Sequence, residues 1–278
     1  MLTKDAKWPQ FSERDLDFVV ENAAPGSADP SQLKRLITED TQFRAAMLGD
    51  ESLLQRVQSD DEILLYISPS MYFEILLRNS NRELETAAYT EEREGRMSIP
   101  VFDTPDVLEF MERPGVVEYL ASMMASFTRI NSYVVPVRVR RGVRRRVRYN
   151  DMDVDSLIRF AADADHEQKF SYYKRIADVC LFVSGIFPDS AQSRAGGAAA
   201  PPLSRSWRMR RTLEEYEREG RTFYGLAQEH PAARALELSQ VFGELKQNFN
   251  SARKPLTFVA TRFLHARKRQ LFGVASSA

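Results

Sequence analysis

The chain has 278 residues, of which 43% are hydrophobic and 28% are charged, and its 39 basic residues are balanced by 39 acidic ones. This composition is typical of a globular protein that forms one large or two smaller domains, and the balanced charge excludes a surface that is basic throughout. The single cysteine excludes an internal disulfide framework and favours a reducing compartment.

The chain begins with a series of amphipathic helices. Ser12, which is followed by acidic residues, indicates a helix start, and a second helix is expected from Pro30 or Ser31. The pair Ser68-Pro69 predicts a longer helix, because serine caps helices and proline suits the first turn. Further helices are expected at 43–48, at 53–57, from Thr104-Pro105 and from Arg113-Pro114. Residues 89–103 are charged and punctuated by glycine and proline, which indicates a connection.

The most informative stretch is Tyr133 to Tyr149, seventeen residues that hold seven arginines and no acid. Its valines and arginines alternate with period two, which predicts a β-hairpin with one apolar face and one guanidinium face. The predicted fold is therefore mainly α, a helical bundle with one Arg-rich β-hairpin near its middle.

The register of this hairpin can be argued from the sequence. A three-residue loop at Arg141-Gly142-Val143 sets Arg140 opposite Arg144 and Arg138 opposite Arg146, which nearly separates arginines from valines. A two-residue turn at Arg141-Gly142 mixes the two faces, and such a slip is disfavoured when one face is buried. We therefore expect the three-residue loop, although glycine is preferred at the last position of such loops.

An all-arginine face requires anions nearby, because like charges opposite each other destabilise a sheet. With the seven hairpin arginines set aside, 32 basic residues face 39 acidic ones, a net charge of −7 elsewhere in the chain. The face is therefore either solvated, neutralised by the chain's own acids, or bound to an acidic protein or to nucleic acid. The internal candidates are Glu83, Glu85, Glu91, Glu92, Glu94, Asp151, Asp153 and Asp155.

Five arginines and one aromatic residue are the predicted binding residues for a partner or phosphate: Arg138, Arg140, Arg144, Arg146, Arg148 and Trp207. Trp207 is included because it lies among Arg205, Arg208, Arg210 and Arg211, where its ring could stack on a base or anchor the segment. A second basic group, at 262–269, follows near the end of the sequence.

The region after the hairpin again indicates helices. Asp153 or Asp155 is expected to cap one helix, and a long apolar helix is expected from about Glu167 to Phe187. Residues 190–205 are of low complexity and indicate a flexible loop or linker. Helices at 211–227, 231–247 and 255–271 complete the chain. The predicted division is a helical domain at 1–189 that carries the hairpin at 133–149, the linker, and helices at 206–278 that pack on the same core.

The side chains that could carry chemistry favour structural roles. His166, His230 and His265 are isolated, so no zinc motif exists, and His230 before Pro231 indicates a helix start. Cys180 lies inside an apolar run and is interpreted as a core residue. Asp178 has apolar neighbours and must be paired, with Arg175 as the expected partner.

The stretches Ile176–Asp189 and Arg211–Ala227 resemble an uncharacterised group of bacterial helical proteins. The likeness rests on an apolar helix that ends in Gly-x-Phe-Pro and on a following tyrosine-containing helix with Gly-Arg, and it extends loosely to Tyr119–Phe127. It covers residues 119 to 265. The resemblance implies a helical fold and no activity.

The favoured interpretation is a non-enzymatic interaction or regulatory protein, bacterial and cytoplasmic, whose basic hairpin binds an acidic partner. We expect no cofactor, no metal and no membrane contact, since the first ten residues lack a signal-peptide core and no apolar run is long enough to span a bilayer. Nucleic-acid binding that tolerates any sequence is the alternative. An enzyme with a site at Asp178 or at 163–167 is the third hypothesis.

Overall fold

The structure is a computed structural model that describes residues 10–87, 89–94, 97–101, 103–129, 132–140, 143–188 and 211–272. Within 91–98 and 132–150 it describes backbone without side chains. The described residues are mainly helical, which confirms the predicted class. They form two compact units, the first drawn from the described residues within 1–125 and 251–265 and the second from those within 126–250 and 266–278.

The first unit is built from short helices and one antiparallel strand pair. Its elements are α1 (Glu13–Ala23), α2 (Pro30–Glu39), α3 (Thr41–Leu48), α4 (Glu51–Ser59), a 3-10 turn (Ile63–Leu65), α5 (Pro69–Glu85), β1 (Thr90–Glu94), β2 (Met97–Val101), α6 (Thr104–Glu112) and α7 (Val116–Ser126). The strand pair lies in the stretch 89–103, where we predicted only a connection. The sequence of β1, TEERE, lacks the apolar alternation that identifies a half-buried strand.

Capping side chains explain where these helices begin. Ser12 and Asp15 form a capping box at the start of α1, and Ser68 caps α5 with Pro69 in its first turn, so both predicted starts are confirmed. Asp15 is buried, and its Oδ1 also accepts a hydrogen bond from the Ser68 backbone N–H at 2.7 Å. One carboxylate therefore ties the starts of α1 and α5 together.

A buried ion network crosses the core of the first unit. The Glu74 carboxylate accepts hydrogen bonds from Arg44 (Nε–Oε1, 2.9 Å) and from Arg78 (Nη2–Oε1, 2.9 Å). Arg78 also donates to Glu118 Oε1 at 2.8 Å, and the Arg44 guanidinium lies 4.0 Å from the centroid of the Phe11 ring. Each charge is thus opposed by another, which is the condition for burying it.

The second unit contains the Arg-rich strands and the longest helix. Its elements are β3 (Ser132–Arg140), β4 (Val143–Asn150), α8 (Val154–Asp163), α9 (His166–Ile186), α10 (Leu213–Glu229), α11 (Pro231–Ala235), α12 (Ser239–Gln247), α13 (Phe249–Arg262) and α14 (Lys268–Leu271). Residues of α13 from 251 onward belong to the first unit. The core is aromatic, with Phe182 stacked on Phe127 at 4.1 Å between ring centroids and Tyr224 beside Phe242 at 5.8 Å.

Two of the predicted C-terminal helices have different bounds. The helix predicted at 231–247 is interrupted after Ala235, where Glu237 adopts a left-handed φ of 54° that ends an α-helix. The helix predicted from Pro255 begins instead at Phe249, so that Pro255 lies inside it. Proline in a helix interior costs one backbone hydrogen bond, and for that reason the sequence alone favoured a start at this position.

Candidate interaction site

The Arg-rich stretch forms two antiparallel strands, β3 and β4. Arg140 pairs with Val143, and the register then shifts between Arg140 and Arg138, so that Arg138 pairs with Arg144. The predicted pairings of Arg140 with Arg144 and of Arg138 with Arg146 are therefore wrong, and so is the predicted loop that included Val143. The shift nevertheless changes the pairing by one position, as the predicted three-residue loop would have done. From Arg138 to Ser132, even-numbered residues of β3 therefore pair with even-numbered residues of β4. A regular ladder closed by the two residues 141 and 142 would pair even positions with odd ones.

The side chains of the predicted binding residues lie outside the described part of the structure. This holds for Arg138, Arg140, Arg144, Arg146 and Arg148, whose backbone is described, and for Trp207, which lies in the stretch 189–210. Their role as a binding surface stays a prediction. The residues at the base of the strand pair are described in full.

Arg175 of α9 connects the two ends of the strand pair. Its guanidinium donates to Ser126 Oγ (2.9 Å), six residues before β3, and to Asp151 Oδ2 (2.7 Å), directly after β4. Its Nε also donates to the Asp151 backbone carbonyl at 3.1 Å, and the guanidinium lies 4.0 Å from the centroid of the Phe127 ring. Because both chain ends are held by one planar group, the base of the strand pair has a fixed position on α9.

The acidic residues that follow β4 have described partners outside the arginine strands. The Asp153 side chain caps α8 through the Ser156 backbone N–H, which confirms the predicted cap. Asp155 Oδ1 lies 2.6 Å from Arg211 Nη2, and Arg211 Nε lies 2.5 Å from Glu219 Oε2. These carboxylates raise the pKa of Arg211 against the opposing effect of burial. Arg211 therefore serves the packing of the second unit.

Asp178 is paired, but not with the expected residue. Its carboxylate accepts hydrogen bonds from Lys174 Nζ (2.6 Å) and from the Tyr224 hydroxyl (3.0 Å). Arg175, the predicted partner, points to Asp151 instead. On a helix, a residue four positions away is as close as one three positions away, so Lys174 satisfies the same rule. Asp178 is buried between two donors, which is the structural role that we predicted for it.

Two histidines that are 64 positions apart in sequence stack on each other. The ring centroids of His166 and His230 are 4.6 Å apart. His230 Nδ1 accepts a hydrogen bond from the Ala232 N–H, so that His230 lies at a helix start, as predicted, and caps α11 with its side chain. His230 Nε2 lies 2.9 Å from the His166 carbonyl oxygen and donates to it, because Nδ1 is the acceptor. Among the described residues, no group of three His, Cys, Asp or Glu side chains is arranged to hold a metal ion.

Cys180 lies in the core of α9, as predicted. Burial raises the pKa of its thiol, and the Glu219 carboxylate adds to this effect. A protonated and buried thiol is a poor nucleophile, so the structure gives Cys180 the chemistry of a small apolar side chain.

Sequence reasoning missed Arg175 as the anchor of the strand pair. Its partners Ser126 and Asp151 lie 49 and 24 positions away, and no local spacing identifies such contacts.

A comparison with protein-family models found no match, and comparisons with curated proteins and with solved structures found none either. Within the described ranges, no helix has the length and apolar character needed to cross a bilayer.

Proposed function

We propose that the chain is a non-enzymatic interaction protein that uses the Arg-rich strands β3 and β4 to bind an acidic protein surface. The observation that carries the proposal is the register, which sets Arg138 directly opposite Arg144 in a stretch without any acid. Two guanidinium groups at paired positions repel each other, and an external carboxylate that lies between them relieves the repulsion.

The state of the neighbouring acids supports an external partner. Asp151 forms an ion pair with Arg175, Asp155 with Arg211, and Glu83 with Arg262, whose Nε lies 3.2 Å from Glu83 Oε2. A carboxylate that already has one cation as its partner adds no net charge to oppose the strand arginines. Of the eight internal counter-charges that the sequence offers, Asp151 and Glu83 are thus matched by cations outside 133–149, and Asp155 shares Arg211 with Glu219.

A protein partner is favoured over nucleic acid because other basic residues that would extend a phosphate-binding surface are in use. Arg211, from the group around Trp207, is held between Asp155 and Glu219. From the C-terminal group, Lys268 Nζ donates to the Ile186 carbonyl oxygen at 3.2 Å. A nucleic-acid surface needs several cations along the phosphate backbone, whereas a short acidic patch needs only the strand arginines.

Fluorescence anisotropy with two labelled probes, a 20-residue poly-glutamate peptide and a 20-nucleotide single-stranded DNA, tests the proposal. We expect the peptide to bind, and we expect the replacement of Arg138, Arg140, Arg144 and Arg146 by serine to weaken it at least about tenfold, which corresponds to about 1.4 kcal/mol. The matched control replaces four arginines outside the strands by serine: Arg14, Arg35, Arg56 and Arg218.

Two outcomes count against the proposal. Peptide affinity that is equal in the strand variant and in the control variant would show that the strands do not form the binding surface. DNA that binds more tightly than the peptide, with a steep loss of affinity as salt is added, would favour nucleic acid as the partner.

A further inference from the structure

Each of the two strand pairs has one strand with a proline and one strand without. Pro100 lies in β2 and Pro136 lies in β3, whereas the sequences of β1 and β4 contain no proline. Proline has no N–H to donate, and in sheets it occurs on edge strands where the missing N–H faces solvent. It therefore blocks the outer edges of β2 and β3, and the strands that remain able to accept a further strand are β1 and β4.

The outer edges of β1 and β4 have no neighbouring strand among the described residues, since β1 with β2 and β3 with β4 each form a two-stranded sheet. An edge strand presents a row of backbone N–H and C=O groups that another chain can pair with. β1 has five residues and β4 has eight, so β4 is long enough to pair with the whole of β1.

The two open edges carry opposite charge. The sequence of β1, TEERE, has three glutamates and one arginine, and that of β4, VRRRVRYN, has four arginines and no acid. Two copies of β1 repel each other, and so do two copies of β4, whereas β1 and β4 attract each other. The charges thus disfavour the pairing of like edges and favour the pairing of unlike ones.

Within their own sheets, the charges near the middle of each open strand face neutral residues. These charges are Glu92, Glu94, Arg146 and Arg148, and their cross-strand partners in the same order are Ile99, Met97, Pro136 and Val134. A strand added on the outer side would supply the opposite charge that the inner neighbour lacks.

One alignment of β1 with β4 satisfies all four charges. If Arg93 lies opposite Val147, the two glutamates that flank Arg93 lie opposite the two arginines that flank Val147, whether the strands run parallel or antiparallel. No like charges face each other in this alignment.

The base of the first strand pair is anchored to a helix, as the base of the second is by Arg175. Thr90 Oγ1 donates to Asp103 Oδ1 at 2.6 Å, and Lys254 Nζ of α13 pairs with Asp103 Oδ2 and lies 3.2 Å from Thr90 Oγ1. Farther along the pair, the Ile99 side chain is exposed. A strand that is held at its base and exposed beyond it loses little conformational freedom when another strand pairs with it.

We propose that β1 of one copy of the chain adds to the open edge of β4 of a second copy, so that the acidic partner of the Arg-rich strands is the protein itself. This inference rests on the function proposed above and names its partner. A copy that engages its β1 still offers its β4, so association continues beyond a dimer unless two copies engage each other reciprocally. One strand pair is a small interface, and we therefore expect a Kd on the order of 100 µM and a monomer at about 1 µM.

Sedimentation velocity of the full chain from about 1 to about 500 µM tests the proposal, and we expect larger species to form as the concentration rises. The reversals Glu92→Arg/Glu94→Arg and Arg146→Glu/Arg148→Glu should each weaken self-association at least tenfold, because each makes the facing positions alike in charge. An equimolar mixture of the two variants should associate as the parent chain does, since every open edge then meets an edge of opposite charge.

The matched control is Glu21→Arg/Glu62→Arg, which reverses two exposed acids elsewhere in the first unit and should self-associate like the parent. Circular dichroism verifies that each variant is folded. A reversal that does not fold is replaced by the glutamine variant at the same two positions, which should weaken self-association at least about threefold.

The inference is overturned if the reversals or their glutamine replacements associate like the parent, or if the mixture of folded reversals associates no better than either variant alone. A parent chain that stays monomeric up to about 500 µM but binds the poly-glutamate peptide would overturn the second copy as partner and leave the proposed function standing. A parent chain that neither self-associates nor binds the peptide would overturn both.

Discussion

Arg175 joins four features of the second unit through one side chain: the Ser126 hydroxyl, the Phe127 ring, and the carboxylate and carbonyl of Asp151. Its planar guanidinium satisfies these partners in several directions at once, which the point charge of a lysine cannot do. Removing one partner of a largely buried ion pair costs more stability than breaking a surface pair, because the other charge is left buried without compensation.

We predict that Arg175→Gln lowers the free energy of unfolding by about 2–4 kcal/mol, because the variant leaves the Asp151 carboxylate without this guanidinium in a mostly buried position. Urea unfolding followed by circular dichroism measures the change. The control Arg218→Gln alters an exposed arginine of α10 and should change stability by less than about 0.5 kcal/mol. If Arg175→Gln lowers the free energy of unfolding as little as the control does, Arg175 does not anchor the strand pair.

Cys180 gives a prediction about pH. Burial raises the pKa of its thiol in the folded state above the ordinary value of 9.0, so above about pH 9 only the unfolded chain releases this proton. The contribution of Cys180 to stability is therefore complete below pH 9 and decreases as the pH rises further, by up to about 1.4 kcal/mol per pH unit. Urea unfolding of the parent chain and of Cys180→Ala between pH 8 and 10 should show a steeper decline for the parent. Parallel curves would contradict the prediction.

Reactivity of the same thiol provides an independent measurement. We expect the native protein to release no chromophore from a disulfide reagent at pH 8, and the urea-unfolded chain to release one equivalent, because only the thiolate attacks the reagent. A fast reaction in the native state would mean that the α9 core opens to solvent.

At the scale of the elements, α9 and α10 approach each other closely at Gly220 of α10. A Cβ atom at this position would overlap the Phe249 ring and lie 3.2 Å from the Cβ atom of Cys180. Phe249 is fully buried, so its ring has no free space to move into. The contact between α9 and α10 therefore depends on a residue without a side chain.

We predict that Gly220→Ala destabilises the protein by about 1–3 kcal/mol, even though alanine favours helices more than glycine does. Gly225 on the same helix is the matched control. The three atoms nearest to a Cβ atom there all belong to the flexible Lys246 side chain, at 3.2–3.4 Å, so Gly225→Ala should be neutral or slightly stabilising. Equal effects of the two substitutions on the urea midpoint would contradict the packing explanation.

At the scale of helices and strands, the sequence predicts where helices start but not how the strands pair. Ser12, Ser68 and Asp153 were identifiable because a cap depends on residues three positions apart. The predicted register of β3 and β4 was wrong because two arrangements give the same pairing of even with even positions, a longer loop and a shift within a strand. The alternation of residues in the sequence does not distinguish them.

At the scale of the whole molecule, the described residues fall into two compact units, and the predicted division into a domain at 1–189, a linker and helices at 206–278 stays a prediction. The boundaries of the two units fall near residues 125 and 250, at the end of α7 and the start of α13, where no change in composition marks them. The predicted linker at 190–205 lies outside the described residues and stays a prediction. The anchor of the Arg-rich strands could not be predicted either, since it depends on contacts between distant parts of the chain.

The strand arginines are central to the proposed function, and the melting temperature of a variant that lacks two of these charges tests it most directly. If they are not neutralised within the molecule, paired arginines such as Arg138 and Arg144 repel each other by about 0.2–1 kcal/mol per pair. The double variant Arg138→Gln/Arg144→Gln should then melt at the same or a higher temperature than the parent chain at low salt, and the difference should shrink as salt is added. A clearly lower melting temperature for the variant at every salt concentration would mean that acids of the chain already hold these arginines, and would contradict an external acidic partner.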